Sequence, residues 1–250
     1  MRVLELFSGT RSIGKCCDAI GWESVSVDLI LPADHQVDIM EFDYKQYPKD
    51  YFDVVWASPP CTNYSRLMSC WYGRKRKDGT IYTKERHMKD QDEADKLVLK
   101  SLEIIKYFNP HYWFLENPQT GNLKNREIMK GIPFYDVDYC RYSDWGYRKR
   151  TRIWTNRTDF TPLLCDGSGS CGNMVEGTKQ HSKILGNGYE LINGEKVLCN
   201  TKEKREKLRH RKTCDGGYDK RKKNSGYSNA TNQTERYRVP EDLIFSLLLD

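Results

Sequence analysis

No apolar stretch precedes Met1-Arg2-Val3-Leu4, and no apolar run approaches the ~20 residues needed to cross a bilayer. The chain is therefore expected to lack a signal peptide and a membrane span, and to work in the cytoplasm. A paired cysteine framework is also missing. The nine cysteines stand at irregular spacings, which points to a reducing compartment rather than a disulfide scaffold. Hydrophobic residues make up only 38%, a low share that predicts long polar loops around an ordinary core. No strong excess of one charge sign is present either, since 41 basic and 35 acidic side chains leave +6. The placement of charge says more than its sum. Residues 71–89 and 202–223 are basic and polar and the first 60 are not, which raises nucleic acid as a partner.

What is present starts with residues 52–65, FDVVWASPPCTNYS. Residues 52–57 are a continuous apolar run with β-branched and aromatic members, the pattern of a buried strand. Ser58-Pro59-Pro60 stops it, because two prolines fix φ and remove two backbone donors. Cys61 follows at once, at the carboxyl end of that strand, where open α/β sheets bind ligands.

Upstream, Val3-Leu4-Glu5-Leu6-Phe7 reads as a strand, Ser8-Gly9-Thr10 as a tight turn, and residues 12–20 as a helix ending at Gly21. This opening suits a nucleotide-binding unit, although Arg11 stands where the full glycine pattern would place its second glycine. Glu23-Ser24-Val25-Ser26-Val27-Asp28 alternates and ends on an acid able to accept from ribose hydroxyls. Asp38-Ile39 comes at the next strand end, where the carboxylate is suited to an adenine amino group.

Residues 66–91 form a long polar segment containing Gly73-Arg74-Lys75-Arg76-Lys77, read as a functional loop. Asp90 or Asp92 is the expected cap of a helix running to Phe108, whose Ala94, Leu97, Val98, Leu102, Ile105 and Phe108 recur at three and four residues. Residues 111–115 form another apolar strand, ended by Glu116-Asn117-Pro118. Residues 134–142 suggest a further strand. Arg150 and Arg152 alternate ahead of Ile153-Trp154, so both point to one side, as an anion or carbonyl clamp would. Residues 160–232 turn rich in Gly, Lys, Asn and Ser. Cys165, Cys171, His181 and Cys199 are possible zinc ligands there, but their spacing matches none of the usual patterns, so no metal is expected. Pro240 opens a short apolar helix to Leu249 that needs a partner surface.

Together, Phe7-Ser8-Gly9, Pro59-Pro60-Cys61 with Tyr64-Ser65, Glu116-Asn117 and Arg150-x-Arg152 fall in the order and spacing of the C5-cytosine DNA methyltransferases. The stretches WASPPCTNYS and DWGYRKRTRIW are most similar to short phage-type or viral-type members. The resemblance covers residues 1–156 and the closing RYRVPEDLIFSLL. It implies an α/β fold of the class I S-adenosylmethionine-dependent methyltransferase type, a Rossmann-like sheet with helices on both faces, plus a small irregular insert. The implied division is a catalytic domain at 1–158, a target-recognition region at 159–235, and a C-terminal helix at 236–250 docking back on the catalytic domain.

The resemblance further implies S-adenosyl-L-methionine held by Phe7, Gly9, Asp28, Asp38, Ile39 and Pro59. Cys61 matches the nucleophile that adds to C6 of a flipped cytosine in double-stranded DNA. Glu116 matches the residue gripping the cytosine edge, and Arg150 and Arg152 its partners. Ser65, Arg74, Lys75, Arg76 and Lys77 are candidate DNA contacts. Such an enzyme would work in a bacterial or virus-infected cell, in restriction-modification or self-protection. An RNA cytosine-5 methyltransferase and a catalytically silent DNA-binding protein of the same fold remain open. Proline replaces the family's usual valine after Glu116-Asn117, and Arg148 stands where a glutamine usually precedes the two arginines.

Overall fold

The computed structural model describes residues 1–76, 78–175, 180–182, 189–192, 195–198 and 237–249, the 189–198 pieces as backbone alone. The chain divides into two compact units. The first comprises Met1–Asp138, Arg150–Leu164 and Val239–Asp250, the second Tyr139–Lys149 and Cys165–Arg238. The expected boundaries at 158/159 and 235/236 differ from these. Tyr139–Lys149 folds with the second unit because its Cys140, Ser143 and Gly146 backbones are hydrogen-bonded to the side chain of Asn173.

Seven strands form the sheet of the first unit: β1 (Arg2–Leu6), β2 (Glu23–Asp28), β3 (His35–Gln36), β4 (Val54–Ala57), β5 (Tyr112–Pro118), β6 (Phe134–Asp138) and β7 (Arg150–Thr155). Their order is β3-β2-β1-β4-β5-β7-β6. All run parallel except β7, which is antiparallel to both β5 and β6. The order doubles back beside β1, so the carboxyl ends of β1 and β4 flank the crevice where such sheets bind ligands. In the second unit, β8 (Tyr189–Ile192) and β9 (Glu195–Leu198) form an antiparallel pair.

Side-chain alternation decides which helix covers which face. Leu4, Leu6, Val55, Ala57 and Leu115 share a core with Ala94, Val98, Ile105 and Phe108 of α2 (Lys84–Phe108). Burying Val98 and Phe108 completely stabilises the fold by about 1.5–3 kcal/mol each. Glu5, Trp56 and Phe114, opposite one another in the ladder, point the other way. On that face lie α1 (Ser12–Ala19), whose Ile13 and Gly14 amides donate to Glu5, and α3 (Glu241–Leu248), which packs on α1. Val239 N also donates to Ser12 Oγ at 3.2 Å, and Arg157 Nη1 to the Leu247 carbonyl. The C-terminal helix thus docks on the sheet unit. No helix among the described residues is long and apolar enough to cross a membrane.

The 66–91 segment departs from its expectation. Residues 73–76 pair back on 80–82, through Gly73 N to Tyr82 O, Tyr82 N to Arg74 O and Arg76 N to Thr80 O. The helix then begins at Lys84, capped by Thr83 Oγ1 accepting from Arg86 N at 3.2 Å, two turns before the expected caps at Asp90 or Asp92. Those turns are good helix formers on an exposed surface and carry no apolar rhythm to mark them. Asp90 instead lies inside the helix, bonded to Arg86, and Asp92 pairs with Arg126. The strand expected over 134–142 stops at Asp138, and Tyr139–Arg141 is a 3-10 turn.

Candidate active site

The carboxyl edge of the sheet collects most of the residues singled out above. Phe7 and Gly9 follow β1, with φ of +57° and +52°. This is left-handed backbone, which suits glycine at position 9 and costs energy at Phe7. Gly9 N donates to Asp28 Oδ2 at 2.9 Å, which ties the first turn to the tip of β2. Asp28 Oδ1 accepts from Ile30 N and Leu31 N, both at 2.8 Å. Three of about four acceptor sites on the carboxylate are thus filled, leaving room for one more donor. Asp38 lies just beyond β3 and accepts from Met40 N with Oδ1, while its Oδ2 takes no partner among the described residues. Ile39 is buried beside it. Leu29, Ile30 and Leu31 are all exposed at this edge, Ile30 by 78%, which is an unusual run of bare apolar surface.

Next along the edge, Pro59 is buried and Cys61 is half-buried at the start of a 3-10 turn, Thr62–Tyr64. Cys61 O accepts from Tyr64 N at 3.1 Å. Glu116 and Asn117 close β5, the neighbour of β4, both buried. Asn117 Nδ2 donates to the Pro59 carbonyl at 2.9 Å, so the Pro-Pro-Cys loop is fastened to the strand carrying Glu116. Pro59 and Pro60 have no N–H with which to hold the loop themselves, so this side chain supplies the tie.

The far side of the loop is fastened as well, by a network that sequence reading did not find. Asn63 O accepts from His87 Nε2 at 2.8 Å and from Gln91 Nε2 at 3.2 Å, and Asn63 Nδ2 donates to the Asp90 carbonyl. The Tyr72 hydroxyl lies 2.7 Å from His87 Nδ1. These partners assign the tautomer: Nε2–H donates to the carbonyl and Nδ1 accepts from the tyrosine. Tyr64 OH donates to Asp95 Oδ1, and Arg126 holds Asp95 Oδ2 from the other side. Burial and the Asp95 bond both push the Tyr64 hydroxyl's pKa far up, so it stays a donor. Asn122 N completes the clamp on the Tyr64 carbonyl at 2.7 Å. The only sequence signal for these residues was polar side chains at apolar-facing positions of α2.

The two arginines differ in their commitments. The register pairs Asp138 with Arg150 and Asp136 with Arg152, which sets both on one side as expected. Arg152 is 13% exposed, bidentate to Asp136 at 2.7 and 2.8 Å, and stacked on Phe134 at 3.5 Å. Arg150 is 51% exposed and lies 4.0 Å from Asp138. Across β5, Arg152 stands opposite Asn117, and Glu116 opposite Ile153.

Of the candidate DNA contacts, Ser65 caps the following 3-10 turn through Leu67 N. It also lines a cleft of about 490 Å³ with Arg66, Lys84 and Arg126. Arg74 is exposed over the Trp71 ring, Lys75 is exposed, and Arg76 lies over Tyr82 and 3.7 Å from Asp90. Lys77 and Cys199 lie outside the described residues.

Strand order, the reversed β7 and the cluster at the ends of β1 to β5 define a class I methyltransferase fold. A profile of the C-5 cytosine-specific DNA methylases matches residues 28–132. A Frog virus 3 (isolate Goorha) protein described as a probable DNA (cytosine-5)-methyltransferase is 46% identical over 176 residues, 70% of this chain and 79% of that protein. The chain belongs to the C-5 cytosine-specific DNA methylase family. Solved structures similar to it include the Entamoeba histolytica methyltransferase EhMeth, at 18% identity and TM-score 0.43, covering 66% of this chain and 55% of that one. Another is the S. pombe Dnmt2 methyltransferase, at 14% identity and TM-score 0.40, covering 72% and 57%. The chain spans a little over half the length of these solved structures.

Proposed function

We propose that the protein is a DNA (cytosine-5)-methyltransferase that uses S-adenosyl-L-methionine and a covalent Cys61 adduct. The observation that carries this reading is the bond from Asn117 to the Pro59 carbonyl, which couples the thiol-bearing loop to the strand end bearing Glu116. Two buried polar atoms without partners among the described residues, Ser8 Oγ and Asn117 Oδ1, lie at the ends of β1 and β5, on either side of that loop. Buried polar groups are nearly always satisfied, so their position at this edge fits a ligand that completes them. The residues present also suit this cofactor. Asp28 has one acceptor site left for a ribose hydroxyl, Asp38 Oδ2 can accept from the adenine amino group, and the bare Leu29-Ile30-Leu31 run offers the ring an apolar cover.

When bound, the cofactor supplies an electrophilic methyl group on a sulfonium. Cytosine C5 is a poor nucleophile until the Cys61 thiolate adds to C6 and makes C5 enamine-like. Addition builds electron density toward N3 and O2 of the ring. Glu116 accepts from the exocyclic amino group with one oxygen and, in its acid form, donates the other oxygen's proton to N3, and the exposed Arg150 guanidinium balances charge at O2. Arg152, held by Asp136, keeps β7 in register beneath it. After methyl transfer to C5, water takes the C5 proton, the electron pair re-forms the C5–C6 double bond, and the thiolate leaves. The base must leave the duplex to reach Cys61. Arg74, Lys75 and Arg76, with Ser65, are suited to the phosphates on either side of it.

The test is trapping on 5-fluorocytosine, where fluorine replaces the proton that must depart. Duplex DNA carrying it should form an adduct stable to denaturing electrophoresis when S-adenosylmethionine is present, and Cys61→Ser should form none. Adduct at the wild-type level in Cys61→Ser refutes the mechanism. Methyl transfer to transfer RNA in place of duplex DNA refutes the substrate.

A further inference from the structure

We propose that the second unit is built around a structural zinc ion held by Cys140, Cys165, Cys171 and His181. The four ligand atoms all lie within 4.8 Å of one another. His181 Nε2 is 3.7 Å from Cys165 Sγ and 3.6 Å from Cys171 Sγ. Zinc bonds of about 2.3 Å to sulfur and about 2.0–2.1 Å to nitrogen, at tetrahedral angles, put sulfur and nitrogen about 3.6 Å apart. Both nitrogen–sulfur separations thus match an edge of the tetrahedron a zinc ion would require, and the remaining ligand atoms lie close enough to draw in around one ion. Three thiolates and an imidazole leave no open position, which is the mark of a structural rather than a catalytic site, and soft sulfur donors select zinc among common cations.

The surroundings fix the ligands in place. Asn173 is buried, and the two N–H groups of its Nδ2 are shared among the carbonyls of Cys140 at 2.9 Å, Cys171 at 3.0 Å and Ser143 at 2.7 Å, while Oδ1 accepts from Gly146 N at 2.7 Å. Arg148 Nη2 donates to the Cys165 carbonyl at 2.8 Å. The backbones of three of the four ligand residues are thus held by side chains, an outer support typical of metal sites. His181 is held beside Met174 by two backbone bonds, Val175 N to Gln180 O and Ser182 N to Asn173 O. Gly172, at φ +70°, lets the chain reverse directly after Cys171.

Among the second unit's described residues, the buried apolar side chains are Tyr139, Cys140, Tyr142, Tyr147 and Cys165, and two of these five are ligands. Two ligands among those five described side chains tie the site to what packs around it, so metal binding here would couple to folding. Cys140 stands 25 positions before Cys165, a separation that no sequence spacing rule reads as one site, and Cys199 had drawn attention in its place.

Full-length protein purified without added metal should contain about one zinc ion per chain by plasma mass spectrometry. Cys140→Ser and Cys165→Ser should each lower zinc content about 10-fold or more. Cys70→Ser, an exposed cysteine of the first unit, and Cys199→Ser should leave it unchanged. Because the serine variants can unfold, Cys171→His provides a second arm that keeps four ligands. Exchanged into cobalt, it should stay loaded while its thiolate-to-metal absorption falls by about one third, as one of three thiolates is lost. Folded wild-type protein with less than about 0.1 zinc per chain, or an oxidised cysteine pair in place of bound metal, overturns the proposal. So does loss of zinc from Cys199→Ser with retention in Cys140→Ser.

Discussion

Glu5→Gln should be less stable than wild type in acid and more stable above neutrality. Glu5 sits in the middle of β1, only 3% exposed, with its carboxylate accepting from Ile13 N at 3.1 Å and Gly14 N at 2.9 Å. Those are first-turn amides of α1. The residue preceding that helix, Arg11, sits in left-handed backbone and gives no side-chain cap, and no acid stands in the first turn. Glu5 therefore caps the helix from the sheet below. Burial pushes its pKa up from 4.5 to about 7, against the downward pull of the two amides, Arg11 and Lys15. The folded protein consequently holds a proton more tightly than the unfolded chain does. The stability this contributes is fully present below about pH 4.5 and is lost as pH rises through about 7. A difference of about 2.5 in pKa, at 1.36 kcal/mol each, amounts to about 3 kcal/mol across that window.

Glutamine keeps the shape and one acceptor oxygen but does not titrate. It should cost about 1 kcal/mol at pH 4.5, through the amide left without its oxygen. At pH 8 it should be the more stable protein by about 2 kcal/mol, because it escapes the cost of the buried charge. Urea unfolding of both proteins from pH 4.5 to 8, read as the difference in unfolding free energy, isolates Glu5, since every other titrating group is common to the pair. A difference that stays flat across the window would refute the assignment of the proton to this carboxyl.

Two further outcomes are expected from the site. Asn117→Leu removes the tie to the Pro59 carbonyl, and turnover should fall about 100-fold, with the unfolding midpoint shifted far less than that loss implies; steady-state kinetics beside thermal unfolding separates the two. Arg152→Met should destabilise the fold by about 1.5–3 kcal/mol by leaving Asp136 without its bidentate partner. Arg150→Met should stay within about 0.5 kcal/mol of wild type and lose activity instead. Equal stability losses for the two arginines would contradict the difference in their environments.

The strands that carry Cys61 and Glu116 were legible because each is a continuous apolar run closed by proline, a pattern with few other meanings. The first two turns of α2 were not, because Lys84 to Lys89 face water nearly all round and leave no periodicity to read. The alternation of Arg150 and Arg152 gave their common side, but not that Asp136 and Asp138 face them, since register is a tertiary property. Glu5 lay in plain view as an acid within an apolar strand, and its role waited on knowing that α1 starts above it. Cys140 drew no notice inside the strand expected over 134–142, because its partners Cys165, Cys171 and His181 are brought to it only by the fold.

Because β7 runs against its neighbours, Arg150 stands at the beginning of a strand, among residues that stand at the ends of theirs. Its place is set by the ladder to β6, through the Asp138–Arg150 and Asp136–Arg152 pairs, and owes nothing to how many residues intervene. The length of the connection over 139–149 is thereby decoupled from the aim of the arginines. The connection is thus left to a second task, holding Cys140, Ser143 and Gly146 against Asn173, without any cost to the address of the guanidinium groups.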